Sequence, residues 1–221
     1  MSLRKCLISA MVFLTFGVPA NTVLGQNQQP GPMWSQEDAL RIGKEIQKKL
    51  AGLTNYGVFD WMTFGDQGKT VVLRGFASRP TLKSDAENAV KNIPGVEKVG
   101  NQIEVLPNSP NDDRVRAAVY NRIYTQATLR KYNANAGSLA RAMGPGGRSV
   151  AFMAGGITNQ PPIGYHAIHI IVKNGNVTLY GVVLNQSDAA IAGMQANFAP
   201  GAFSVDNDLI VQGSVSKGAA K

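Results

Sequence analysis

Cysteine is almost missing from this 221-residue chain: Cys6 is the only one. A disulfide framework and a cysteine-based zinc site are therefore excluded. Histidine is nearly as scarce, and two residues, His166 and His169, leave little room for a histidine metal cluster or repeated imidazole chemistry. Long apolar runs are absent as well. The longest, from Cys6 to about Val18, is broken by Pro19 and falls short of the ~20 residues a bilayer span needs. What is present is globular in composition, 44% hydrophobic and 16% charged, which separates the chain from disordered sequences. The length allows one medium or two small domains. The charge balance is basic, 22 Lys+Arg against 14 Asp+Glu, or +8 with both histidines neutral.

Arg4 and Lys5 ahead of a short apolar core, with small residues after it, describe a secretory signal peptide over residues 1–25. Cleavage can follow Ala20 or Gly25, and Gly25 is preferred because Pro19 then sits in the extended segment before the cut. Cys6 precedes the apolar core and so cannot be a lipobox cysteine. The mature chain would be free of cysteine and periplasmic or otherwise secreted, with residues 26–34 as a linker. Its basic excess is uneven. Residues 26–110 hold ten cations and nine acids, whereas 111–221 hold ten and five.

The strongest signal is an internal repeat. Residues 71–105 superpose on 177–211 at a constant offset of 106, without a gap. Val71-x-Leu73-x-Gly75 matches Val177-x-Leu179-x-Gly181, and Pro94-Gly95 matches Pro200-Gly201. Val99 matches Val205, and Asn101-x-Ile103-x-Val105 matches Asn207-x-Leu209-x-Val211. Met62 and Phe64 fall on Ile168 and Ile170 at the same offset.

Each copy reads as α-β-β-α-β. Ser35 and Asp38 begin a capping box, and Ala39, Ile42, Ile46, Leu50 and Leu53 follow at helical spacing. Ser109-Pro110-x-Asp112 opens the second copy's helix, with Val115, Val119 and Ile123 as its stripe, running to about Tyr132. Hairpins follow at 57–64 and 70–77 around Gly65–Gly68, and at 166–172 and 177–183 around Lys173-Asn174-Gly175. Helices at 80–92 and 187–198 come next, then a Pro-Gly turn of type II and a last strand at 98–106 and 204–212. A right-handed crossover would lay that strand parallel to the one before the helix. In the second copy Ile191, Met194 and Phe198 read as the inward stripe of the later helix. The fold class is α+β: two α-β-β-α-β repeats, each a three-stranded sheet with two helices on one face. Their bounds are 35–107 and 108–213, with a flexible glycine- and proline-rich insertion at 133–164 and a frayed tail at 214–221.

Val71-x-Leu73-x-Gly75 with Pro94-Gly95-Val96-x-x-Val99-x-Asn101-x-Ile103-x-Val105, repeated at 177–211 with Ala202 in place of Val96, resembles the BON domain family, named for osmotically induced periplasmic and nodulation proteins. The resemblance covers roughly residues 36–106 and 111–212. It implies a small exported module, in tandem, attached to phospholipid membranes or envelope structures, without catalytic residues.

Chemistry-bearing residues are few. Gly75 and Gly181 sit near strand ends, where the backbone bulges or lies against a helix. His166 and His169, three apart on one strand, point to opposite faces and cannot chelate one metal. Gly-Pro-Gly-Gly-Arg-Ser at 144–149 lacks the spacing of a phosphate loop. Asp206 and Asp208 form only an Asp-x-Asp, a weak cation signal. No nucleophile, acid–base pair, metal or cofactor is expected, hence no enzyme. Glu37 and Glu45 interleave with Arg41, Lys44 and Lys48, giving the i, i+4 pairs Glu37–Arg41 and Glu45–Lys49. The second half is less neutralised. Arg114, Arg116, Arg122, Arg130 and Lys131, with Arg141 and Arg148 from the insertion, are the candidate contacts for an anionic partner. Phe152, Met153, Trp61 and Phe76 are the candidate apolar contacts. Phe59, Trp61, Val72 and Phe76, like Ile171, Tyr180, Val182 and Ile210, are expected on the sheet faces without helices, so the two sheets are expected to pack on each other or on a partner. The expected partner is anionic phospholipid, the alternative an envelope protein. Nucleic acid is not expected, since an export signal opposes it.

Overall fold

A computed structural model describes residues 34–133 and 166–213. The signal peptide, all but the last residue of the linker, nearly all of the insertion and the tail lie outside those residues.

Ser35 caps the first helix, α1 (Gln36–Ala51), accepting the Asp38 amide at 3.1 Å. Glu37 and Asp38 sit in its first turn and Lys48 and Lys49 in its last, each complementing the helix dipole. Ile42, Ile46 and Leu50 form its buried stripe. The hairpin β1 (Trp61–Gln67) and β2 (Thr70–Ala77) follows. Its turn is Gly68-Lys69, narrower and later than the expected 65–68, because Gly68 takes the left-handed φ of 64° while Gly65 stays in the ladder opposite Val72. Helix α2 (Pro80–Lys91) starts on its proline and crosses back to β3 (Lys98–Val105), which pairs parallel with β2 as the crossover rule requires. The second repeat has α3 (Pro110–Thr125), β4 (Ile168–Lys173), β5 (Asn176–Val183), α4 (Gln186–Asn197) and β6 (Ser204–Val211). Its sheet order β4-β5-β6 copies β1-β2-β3. Helix α3 ends at Thr125 rather than near Tyr132. Gln126 leaves the helical region at ψ 125°, and a single 3₁₀ turn covers Arg130–Tyr132.

Matching residues do matching work in the two copies. Gly75 and Gly181 have φ of 117° and 129°, and a Cβ on either would lie 2.0 Å from a carbonyl oxygen of the neighbouring strand, that of Trp61 or Ala167. The close approach is therefore to a strand, not to a helix. Asn101 donates to the Lys83 carbonyl and Asn207 to the Ala189 carbonyl, at 2.9 and 2.8 Å, stitching the second helix of each copy to its last strand. Gly95 and Gly201, at φ 99° and 88°, complete the Pro-Gly turns.

The helices of each repeat cover one side of its sheet and enclose a hydrophobic cluster. One holds Ile42, Ile46, Val71, Leu73, Leu82, Val90 and Ile103; the other holds Val115, Val119, Ile123, Ile168, Ile170, Val177 and Leu179. Two members of the second cluster, Val58 and Phe59, come from the first repeat. Residues 57–60 do not begin β1 as their alternation predicts, so Phe59 enters the second core instead of standing with Trp61 on the outer sheet face. The Ile170 amide donates to the Val58 carbonyl at 2.8 Å, so this segment lies along β4, the edge strand of the other sheet. Asp60, fully buried, shapes the segment by accepting the amides of Gly57 and Ser78 at 2.9 and 2.6 Å. Burial pushes its carboxyl pKa up, and those two amides hold it back.

Candidate functional site

Helix α3 begins with two carboxylates that both serve the fold. Asp112, buried, accepts the amides of Asn174 and Gly175 at 2.9 and 2.8 Å and so clamps the β4–β5 turn, whose residues have positive φ. Asp113 accepts from Arg116 at 2.7 Å. Arg116 is fully buried, and its other guanidinium nitrogen donates to the Val172 carbonyl at 2.8 Å. The expectation that Arg116 meets an anionic partner is thus corrected. It stands about 200° around the helix from Arg114, on the side that covers the sheet. The carboxylate and the carbonyl engage its two terminal nitrogens, while Nε is buried without a hydrogen-bond partner among the described residues.

With Arg116 turned inward, Arg114 and Arg122 remain exposed and about 80° apart on the outer face of α3. Neither forms an ion pair among the described residues. The Arg122 guanidinium lies 5.9 Å from the Phe198 ring centroid, a cation–π contact. Arg130 is half-buried in the 3₁₀ turn. Lys131 is occupied: its ammonium bridges to Asp188 at 2.7 Å beside the Tyr132 hydroxyl, which donates to the same carboxylate at 2.5 Å. Arg141, Arg148, Phe152 and Met153 lie outside the described residues.

Trp61 and Phe76 are not free apolar contacts. Trp61 stacks on Tyr180 of the other sheet, centroids 5.6 Å apart and planes 2° from parallel, and Phe76 lies 6.2 Å from the same ring. His169 packs against Trp61 and Tyr56, at 5.1 and 5.4 Å, with its Nδ1 3.2 Å from the Gly57 carbonyl. Burial drives the His169 pKa down to about 4. A bridge from Lys173 to Glu104 adds one polar tie. The open sheet faces therefore meet through Trp61, Phe76, Tyr180 and His169, while Val182 and Ile210 of the expected packing face stay exposed.

Other apolar residues are the exposed ones. Met194, Phe198 and Phe203 are 53%, 60% and 80% exposed. Sequence placed Met194 and Phe198 in the inward stripe of α4, which is a misreading. Ala189, Ala192 and Ala196 face inward instead, and Gly193 lies so close to Asn207 that a Cβ would come within 2.7 Å of its Nδ2. Small residues let α4 settle close to the sheet, and the large ones turn out. The missed signal lay in the repeat itself. At the 106 offset, Met194, Phe198 and Phe203 replace Asn88, Asn92 and Glu97.

Two copies of one α-β-β-α-β unit, joined through stacked rings and basic on one helix of the second, define a tandem α+β module. The chain belongs to the BON domain family, whose model matches residues 42–107 and 156–213. BON domains are non-catalytic and occur in periplasmic and envelope proteins, so this is an envelope-associated module. No described helix is long and apolar enough to cross a membrane. No match is found among curated proteins. Among solved structures, the chain is similar to two of CdsD, a structural protein of the type III secretion system of Chlamydia trachomatis. The first is 12% identical, with a TM-score of 0.23, over 83% of this chain and 99% of that one. The second, its C-terminal domain, is 14% identical, with a TM-score of 0.23, over 81% and 99%. At that TM-score neither likeness bears on function.

Proposed function

We propose that the protein is exported and associates peripherally with anionic phospholipid of the envelope through its second repeat. One observation carries this reading. The carboxylates of the first turn of α3 are engaged inside the fold, while Arg114 and Arg122 stay exposed on its outer face. A cation near an anionic membrane surface contributes about 1 kcal/mol, so the pair contributes about 2 kcal/mol, some thirtyfold in partition. Sedimentation with phosphatidylglycerol-containing and purely zwitterionic vesicles tests it. Preferential binding to the anionic vesicles, weakened by salt and by R114S/R122S, is expected. Equal and negligible binding to both at low salt overturns it.

A second reading, contact with an envelope protein, is favoured by the exposed Val182, Leu184 and Ile210. Val182 and Ile210 are register partners on the helix-free face of the second sheet. Recovery of a partner from envelope extract that survives high salt would support it.

A further inference from the structure

We infer that Met194, Phe198 and Phe203 are the apolar half of the same lipid contact, entering the headgroup–acyl boundary while the arginines of α3 hold the phosphates. This inference rests on the reading above and assigns the apolar contact to α4 and the turn after it. The two copies of the fold supply the comparison. Asn88, Asn92 and Glu97 occupy these positions in the first repeat, and core packing does not account for the exchange, because all three replacements are more than half exposed. Phe198 and Met194 are one helical turn apart, the Phe198 amide donating to the Met194 carbonyl at 3.2 Å as the helix ends. Phe203 follows the Pro-Gly turn and rests one edge of its ring on Gly175, where a Cβ would come within 2.4 Å of it, leaving the remainder in water.

The charge around them selects the occupant. The only acid on α4 is Asp188, at the far end and bridged to Lys131, whereas Arg122 lies directly over Phe198. An apolar rim with the unneutralised Arg122 guanidinium over Phe198 is complementary to a surface whose outside is anionic and whose inside is hydrocarbon. Helix α3 presents Arg122 beside Phe198, so a single approach engages both.

The test replaces the rim with the first repeat's own residues, already compatible with this fold at the matching sites. M194N/F198N leaves charge unchanged, and M194N/F198N/F203E completes the exchange. With vesicles of phosphatidylglycerol and phosphatidylcholine, the double variant is expected to lose at least tenfold in partition at unchanged melting temperature. F203W should bind as the wild type does, its emission blue-shifted and quenched by brominated acyl chains. If wild type and variants bind equally and F203W emission does not move, the inference falls while membrane association through the arginines stands. Variants that bind vesicles normally yet lose a protein from envelope extract also overturn it, because the rim is then a protein contact. A wild-type chain that binds no vesicle at all removes this inference and the reading beneath it together.

Discussion

Acidification should part the two repeats through one side chain. His169 sits between Tyr56 and Trp61 of the first repeat with its Nδ1 on the Gly57 carbonyl, and burial lowers its pKa from 6.5 to about 4. In the unfolded chain the imidazole protonates near 6.5, so between that pH and 4 the unfolded state binds more protons than the native one. Stability therefore rises with pH across the window. The contribution is complete above pH 6.5, is lost as pH falls toward 4, and changes no further below. The fall from 6.5 to about 4 corresponds to about 3 kcal/mol, a large part of the roughly 5–15 kcal/mol that typically holds a domain folded. Asp60, on the segment beside it, acts in the opposite sense. Its raised carboxyl pKa favours the native state as pH falls through that value. Both effects are present in the wild type, so the measurement is a comparison. Urea unfolding of wild type and H169N at several pH values from 4 to 7.5 should show a stability difference that moves by about 3 kcal/mol in favour of the variant as pH drops. Asparagine keeps a donor near the position of Nδ1 but does not titrate. Parallel curves, with a difference independent of pH, would refute the assignment of this window to His169.

Two further outcomes follow from packing. Gly181→Ala sets a Cβ 2.0 Å from the Ala167 carbonyl at a φ of 129°, and should destabilise by more than 2 kcal/mol in thermal melts; a loss below 0.5 kcal/mol would contradict the close approach. Trp61→Lys removes the stack on Tyr180 and the contact with His169, each ring pair contributing about 1 kcal/mol, and should split a single calorimetric transition into two, whereas an unchanged single transition would show that these rings do not couple the repeats.

The duplicated architecture was legible in sequence because its constraints are local. Alternation set the strands, Gly75 and Gly181 had to be glycine, and Asn101 and Asn207 recur because each closes one helix onto one strand. What escaped was decided by neighbours far along the chain. Val58 and Phe59 alternate like strand residues, yet their partners are β4 and the second core. Arg116 looks like any surface arginine until Asp113 and the Val172 carbonyl are placed around it. The alanines of α4 form a weaker periodic signal than Met194 and Phe198, and only the proximity of Gly193 to Asn207 shows which face approaches the sheet. The candidate surface was therefore half visible. Arg114 and Arg122 show their charge in the sequence itself, whereas Met194 and Phe198 read as an inward stripe and Phe203 belongs to no periodic pattern.

The hook formed by residues 57–60 has a consequence for the order of synthesis. Its hydrogen-bond acceptor at Val58 waits for a donor at Ile170, more than a hundred residues downstream. A chain emerging N-terminus first thus completes its first unit with Val58 and Phe59 still bare, and the second unit arrives onto a template already in place. Cutting the protein between its halves would leave one fragment with a naked apolar hook and the other with an unguarded strand, so the halves are partners from birth rather than beads on a string.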